Sequence, residues 1–111
     1  MDSYKTNNVV LKLGCNSQFN LHTATSFRAR LLGWRARGKC DGVWLKPCSS
    51  IQTFTVKQSF DVIWLNKKNE IVRLDFKVRP NRILSCRQAH SAIELPAGAL
   101  TCLRQQLNLL I

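Results

Sequence analysis

Two acidic residues interrupt apolar runs of the sequence, where a carboxylate must either be paired or take part in chemistry. Asp61 opens one such run and Glu94 interrupts another. Because an unpaired buried carboxylate is costly, Asp61 requires a partner, and the candidates are Arg28, Lys57 and local backbone N–H groups. One interpretation of Asp61 is structural: it would pin the loop 49–58 to a sheet.

The other interpretation makes Asp61 a polar anchor in a small ligand-binding pocket. The residues predicted to line this pocket are Arg28, Gln52, Thr53, Asp61 and Glu94. Side chains alternate along a strand, so Glu94 points away from the apolar residues beside it, and we expect it to be exposed to solvent. Two carboxylates in one open pocket would allow acid–base chemistry. A small hydrolase or lyase that uses Asp61 or Glu94 is therefore an alternative function.

Cysteine and histidine spacing gives little support for a metal site. Cys86 and His90 are four residues apart, and Cys40 and Cys48 are the residues that would complete four ligands. Structural zinc sites usually contain two close ligand pairs, and the sequence has only one, so we predict no metal. Phosphate-binding and dinucleotide-binding glycine motifs are also absent from the sequence. We therefore predict no cofactor and no catalytic residue.

Basic residues dominate the charge, since 17 Lys and Arg stand against 6 Asp and Glu and give a formal net charge of +11. Such an excess attracts polyanions. The side chains predicted to bind them are Arg28, Arg30, Arg35, Arg37, Lys39, Arg73, Lys77 and Arg79. The first five are interleaved with Phe27 and Trp34, which either stack on bases or belong to the core. The leading hypothesis is a non-enzymatic binding domain whose cationic face takes an anionic ligand: a nucleic acid, a nucleotide-like metabolite or an acidic protein.

The hydrophobic pattern predicts the elements that position these residues. The predicted strands are 9–13, 42–45, 62–65, 70–79 and 92–95, and the predicted helices are about 23–33 and 99–110. Asn69 suits the left-handed backbone of a hairpin turn between the third and fourth strands. In the strand after this turn, apolar residues alternate with charged ones, and the predicted apolar face is Val72, Leu74, Phe76 and Val78.

A chain of 111 residues fits a single domain, 1–111. The pattern predicts a mainly β fold: a compact antiparallel β-sandwich or barrel-like domain with one or two short helices. No apolar run approaches the roughly 18–20 residues that cross a bilayer, and the polar N-terminus leads into no signal-type stretch. We expect a cytoplasmic protein, monomeric by default and without a membrane partner. A third hypothesis is an assembly module that docks on a protein partner through its C-terminal helix.

Three motifs occur in order along the chain: 42–54 reads GVWLKPCSSIQTF, 61–65 reads DVIWL and 93–98 reads IELPAG. Over about residues 26–98 the chain resembles the bacterial and archaeal family known as domain of unknown function 192. The resemblance implies an all-β, sandwich-like domain with small helical insertions and a candidate site, but no reaction. Family members often have His in place of Gln52 and Met-Arg in place of Val56 and Lys57. Gln hydrogen-bonds but does not titrate, so a proton-transfer or ligand role of that His is lost here.

Overall fold

The computed structural model describes residues 8–13, 17–54, 56–101 and 103. Within these residues the chain forms eight strands, one α-helix and one 3₁₀ helix. In chain order they are β1 Asn8–Leu13, β2 Ser17–Ala24, α1 Phe27–Leu32, the 3₁₀ helix Gly33–Arg37, β3 Gly42–Leu45, β4 Ser50–Gln52, β5 Phe60–Leu65, β6 Ile71–Val78, β7 Ile83–Ser85 and β8 Ser91–Pro96. The predicted mainly β fold with a short helix is confirmed.

The strands form one large and one small sheet. The large sheet has the order β1-β2-β3-β8-β5-β6, and the small sheet pairs β4 with β7. The prediction of antiparallel strands is wrong at one place, because β2 and β3 are parallel. A parallel pair needs a crossover connection, and residues 25–41 supply it with α1 and the 3₁₀ helix.

Both faces of the large sheet are covered in its middle. On one face, which we call the crossover face, Val43, Phe60, Val62 and Trp64 pack with Trp34 of the 3₁₀ helix. On the opposite face a second cluster contains Leu21, Ile63, Ile93, Leu95 and Leu100. Strand β5 is therefore buried along its whole length, and β8 is buried up to its last residue. Strands buried on both faces have continuous apolar runs.

A bulge near the end of β6 breaks the predicted alternation. Lys77 has a φ of 52°, and the pairing register between β5 and β6 shifts beside it. Val78 then joins the cluster on the crossover face, whereas Leu74 and Phe76 pack on the opposite face. The prediction that Val78 shares their face is wrong, because the extra residue of a bulge reverses the side to which the following side chain points. Asn69 has the predicted left-handed backbone, with a φ of 62°.

Helix α1 is shorter than the predicted helix 23–33, because β2 continues through Ala24 before the helix begins at Phe27. The Ser26 hydroxyl accepts a hydrogen bond from the Ala29 N–H at 3.1 Å and caps the helix. Trp34 is 4% exposed and belongs to the core, but Phe27 is 75% exposed. The core interpretation is thus confirmed for Trp34 and wrong for Phe27.

The predicted C-terminal helix 99–110 lies only partly within the described residues. Thr101 and Leu103 have helical backbone, and residues 104–111 are outside the described part. No helix of the described part is both long and apolar enough to cross a membrane.

Candidate functional site

Glu94 is the most unusual side chain of the described residues. It lies on β8 between β3 and β5, paired with Val43 and Val62, and is 1% exposed. The prediction of an exposed Glu94 is wrong. Its side chain does point away from its apolar neighbours, but the crossover covers that face as well. Gly33, with a φ of 55°, lies so close that a Cβ there would be 3.2 Å from Glu94 Oε1.

Burial changes the protonation of this carboxyl group. The loss of solvent raises the pKa of Glu94 from 4.5 to about 8, and a hydrogen bond from the Trp34 backbone opposes the rise. Desolvation disfavours the charged form of a carboxyl. At pH 7 the Glu94 carboxyl is therefore mostly protonated, and its O–H is a hydrogen-bond donor.

A pocket of about 400 Å³ opens above Glu94, between α1 and β4. We call it the Glu94 pocket. Its apolar walls are Phe27, Leu31, Leu45, Pro47 and Ile51. Its polar lining consists of Arg30, Cys48, Ser49, Ser50, Gln52 and Glu94. Mostly apolar walls with a few polar groups are typical of small-molecule sites.

Two polar atoms in this pocket lack partners. Within the described residues, Arg30 Nε and Glu94 Oε1 are the buried side-chain nitrogen and oxygen atoms without a hydrogen bond. Another nitrogen of the Arg30 guanidinium is paired, since Nη1 donates to the Pro47 carbonyl at 3.1 Å. Most buried polar atoms in proteins are hydrogen-bonded. The two unpaired atoms thus belong to residues that line the same pocket.

Cys48 shares this environment. Burial raises the pKa of the Cys48 thiol; the charge of Glu94 adds to the rise, and Arg30 acts against it. The thiol donates a hydrogen bond to the Ser50 carbonyl at 3.2 Å. A nucleophilic cysteine requires a lowered pKa. The Cys48 thiol therefore lacks the lowered pKa that a nucleophilic cysteine requires.

The structure brings only Gln52 and Glu94 of the predicted pocket residues into the pocket. Arg28 lies on the exposed side of α1 and does not line it, whereas Arg30 does. Thr53 is fully buried, and its hydroxyl donates to the Arg79 carbonyl at 2.8 Å. Thr53 therefore holds the turn after β6 and does not face the pocket, so the predictions for Arg28 and Thr53 as pocket residues are wrong.

Asp61 is a structural residue of the opposite face. Its carboxylate accepts hydrogen bonds from the backbone N–H groups of Lys77, Gly98 and Leu100, at 2.9, 3.0 and 3.1 Å. Among the predicted partners, backbone groups are the ones found. The prediction that Asp61 pins the loop 49–58 is wrong, because it holds the β6 bulge and the turn before the C-terminus.

Asp61 and Glu94 cannot act together on one substrate. Asp61 is paired with Leu95 across β5 and β8 and shares the face of that leucine. Glu94 precedes Leu95 on β8, so its side chain points to the crossover face. The sheet separates the two carboxylates, and the geometry that a two-carboxylate hydrolase or lyase requires is not met.

Two of the predicted polyanion-binding residues line a second pocket. Arg35 and Arg37 line a groove of about 380 Å³ together with Trp34, Val56, Lys57 and Gln58, which we call the basic groove. The Arg37 guanidinium lies 4.2 Å from the centre of the Trp34 ring. The exposed residues Arg28, Lys39, Lys77 and Arg79 line neither the groove nor the Glu94 pocket.

Arg73 is occupied elsewhere. Its guanidinium forms a salt bridge of 3.0 Å with Asp75 and donates to the Ser85 carbonyl. Arg73 is therefore held by the protein, and its availability to a polyanion is low. No group of three or more His, Cys, Asp or Glu within the described residues is placed to hold a metal ion.

Two of the residues that build the sites were not assigned to them from the sequence. Cys48 was considered only as a metal ligand and Lys57 only as a partner for Asp61. The basic run 28–39, which contains no acidic residue, indicated that its arginines bind an anion. The sequence does not give the orientation of α1, and only this orientation shows that Arg30 and not Arg28 lines the pocket. Positions two apart on a helix do not share a face.

No family model matches the chain, and no curated protein matches it. Two solved structures are similar in fold. A protein of unknown function from Novosphingobium aromaticivorans DSM 12444 has a TM-score of 0.64 and 12% identity, with 94% of this chain and 91% of that chain covered. A protein from Sinorhizobium meliloti 1021, described as a putative transcription regulator, has a TM-score of 0.70 and 16% identity, with 87% and 84% covered.

At these identities the two neighbours show the fold alone. They support the mainly β architecture over nearly the whole chain. Membership of the family domain of unknown function 192 stays a prediction from the motifs.

Proposed function

We propose that this chain is a non-enzymatic binding domain for a small anionic ligand, whose acidic group lies against Arg30 and Glu94 in the Glu94 pocket. One observation carries the proposal: the two unpaired buried polar side-chain atoms of the described residues, Arg30 Nε and Glu94 Oε1, belong to the lining of the same pocket. A ligand that pairs both atoms removes the cost of leaving them unsatisfied.

Because Arg30 and Glu94 are both hydrogen-bond donors, they determine the sign of the charge that the ligand should carry. Arg30 is a cation with donors only, and the Glu94 carboxyl carries its proton at neutral pH because burial raises its pKa to about 8. A cation with donors only and a carboxyl that carries its proton, both on residues that line one pocket, are complementary to an acceptor with negative charge.

The surface charge supports the same sign. The described acidic residues are Asp41, Asp61, Glu70, Asp75 and Glu94. Of these, Asp61 and Glu94 are buried, and Asp75 is paired with Arg73. Few acidic groups remain to offset the exposed Lys and Arg, so anions are attracted to this surface.

Isothermal titration calorimetry with acetate, benzoate and inorganic phosphate tests the proposal. Arg30→Lys keeps the positive charge but lacks Nε, and we expect it to weaken binding of the best anion at least about tenfold, because a hydrogen bond to a charged group contributes about 1.5–3 kcal/mol. The matched control is Arg28→Lys on the exposed side of α1, which should bind as wild type does. Equal losses in both variants, or a wild-type protein that binds none of these anions and none of the longer-chain acids described below, would reject the pocket.

A second candidate function is the binding of nucleic-acid phosphates, which the basic groove favours. Arg35, Arg37 and Lys57 line this groove, and no acidic residue does. The Sinorhizobium neighbour, described as a putative transcription regulator, is compatible with this function. Trp34 is stacked between Phe60 and the Arg37 guanidinium, so the groove offers phosphate contacts rather than base stacking.

Fluorescence anisotropy with a labelled thymidine oligonucleotide tests the second candidate at about 50 and 200 mM salt. Replacing Arg35 and Lys57 with Gln should make the slope of log affinity against log salt shallower by about 1.4, since each single-strand phosphate contact contributes about 0.7. Replacing Lys67 and Lys68 with Gln removes the same charge at the distant β5–β6 turn and should leave the slope unchanged. Equal changes of this slope in both variants would show that oligonucleotide binding depends on the total charge of the protein and not on the basic groove.

A further inference from the structure

Apolar side chains form the mouth of the Glu94 pocket. Phe27 and Leu31 lie one turn apart on α1, line the pocket and are 75% and 56% exposed. Leu45 and Ile51 line the same pocket from buried positions. The apolar surface thus runs from the interior, beside Glu94, out to solvent. Such a surface suits a ligand with an acidic head and an apolar tail.

The apolar surface continues past the mouth, around Gln52. The Gln52 amide is fixed at both ends, because Nε2 donates to the Leu31 carbonyl at 3.1 Å and Oε1 accepts from the Phe54 N–H at 2.7 Å. Phe54 is 55% exposed, and Ile83, which pairs with Gln52 in the small sheet, is 67% exposed. Single exposed apolar residues are ordinary, whereas several around one pocket rim indicate a binding surface.

The polar groups of the pocket favour a carboxylate head over a phosphate. The unpaired atoms are Arg30 Nε and Glu94 Oε1, and two donors match the two oxygens of a carboxylate. Arg30 Nη1 is already occupied by the Pro47 carbonyl. A phosphate monoester carries a charge of about −1.5 to −2 on three acceptor oxygens. Arg30 is the only cation among the described residues that line the pocket, and its single charge balances a carboxylate but not the larger charge of a phosphate monoester.

On the basis of the function proposed above, we infer that the ligand of the Glu94 pocket is a medium-chain carboxylic acid. Its carboxylate accepts hydrogen bonds from Arg30 and Glu94, and its hydrocarbon chain runs past Ile51 to Leu31 at the mouth. The volume of about 400 Å³ holds about a dozen non-hydrogen atoms at roughly 30 Å³ each, the share of one water molecule in the liquid. An acid of about ten carbons has this size.

The direct test is a chain-length series measured by calorimetry: acetate, butyrate, hexanoate, octanoate, decanoate and dodecanoate, each below the concentration at which it forms micelles. We expect the affinity to rise about fourfold for each added methylene, which corresponds to about 0.8 kcal/mol per buried CH₂. The rise should become much smaller beyond decanoate, because further methylenes would leave the pocket and contact only exposed apolar residues at its rim. Decyl phosphate and decylamine should bind more weakly than decanoate, since their head groups do not match the two donors.

A pair of variants locates the tail. Leu31 and Val10 are both 56% exposed, but Val10 lies on β1, outside this pocket. Leu31→Ser should reduce the affinity for decanoate about tenfold, because part of the burial of a leucine side chain is lost. Val10→Ser should bind decanoate as wild type does.

Each outcome distinguishes this inference from the function on which it rests. Acetate and decanoate of equal affinity, or decyl phosphate stronger than decanoate, would overturn the medium-chain acid and leave an anion pocket. A loss of decanoate affinity in Val10→Ser rather than Leu31→Ser would overturn the location of the tail. If no anion of either panel binds to the wild-type protein, the anion pocket and the medium-chain acid are both wrong.

Discussion

Replacing Glu94 with Gln should make the protein more stable at neutral and alkaline pH. The Gln carbonyl can accept the Trp34 backbone hydrogen bond that the carboxyl accepts now. Its NH₂ group would take the place of the protonated carboxyl oxygen that faces the pocket. The substitution therefore preserves the shape of the protonated side chain and removes its ability to ionise.

The size of the effect follows from the pKa of Glu94, which is 4.5 without burial and about 8 in the folded protein. A raised carboxyl pKa means that the folded protein holds a proton that the unfolded chain releases between these two values. Stability from this group is therefore highest below about pH 4.5 and falls as the pH rises towards 8. The loss is about 3 kcal/mol at pH 7 and about 5 kcal/mol above pH 8, large against a typical total of about 5–15 kcal/mol.

Urea unfolding of wild type and Glu94→Gln at about pH 4, 7 and 9 measures this difference. The two proteins should be nearly equal at pH 4, and the variant should be more stable by about 3 kcal/mol at pH 7. Glu70→Gln, which neutralises an exposed carboxylate on the β5–β6 hairpin, serves as the control and should change little with pH. Parallel stability curves for wild type and Glu94→Gln would refute the buried, protonated carboxyl.

Three further predictions concern the same features. The affinity of the Glu94 pocket for an anion should fall about tenfold per pH unit above about pH 8, because ionised Glu94 repels the ligand, and calorimetry of Glu94→Gln should show no such fall. Asp61→Asn should lower the free energy of unfolding in urea by about 3 kcal/mol or more, because an NH₂ group replaces an acceptor among three N–H donors. Gly42→Ala should destabilise by about 3 kcal/mol or prevent folding, seen by circular dichroism, because its Cβ would lie 2.4 Å from the Glu94 carbonyl oxygen.

The strands with strong hydrophobic patterns were predictable from the sequence, and the weakly patterned ones were not. The segments 62–65 and 92–95 are apolar enough to identify β5 and β8. Strand β2 was missed because Thr and Ser near its end also resemble helix caps. Strands β4 and β7 have three residues each, too few for a period to be recognised. The bulge at Lys77 was missed because a non-glycine residue with positive φ leaves no clear mark in the sequence.

The candidate site was predictable in its residues more than in its geometry. Alternation correctly indicated the side of β8 to which Glu94 points, but it carried no information about what covers that side. The prediction that Asp61 needs hydrogen-bond partners was correct. The backbone donors come from residues 77, 98 and 100, and the sequence does not indicate which turns lie close to Asp61. Gln52 was identified through its motif and does line the pocket.

The parallel pairing of β2 and β3 connects the fold with the proposed function. Antiparallel neighbours can be joined by a short turn, which would leave the crossover face of β8 open to water. The parallel pair instead requires the connection 25–41, and this connection places Gly33 against Glu94 and Arg30 at the pocket. The same segment therefore removes water from the carboxyl, raises its pKa and brings Arg30 to the pocket that Glu94 lines. The stability that Glu94 costs, and the anion binding that we propose for the pocket, would both follow from one chain crossing.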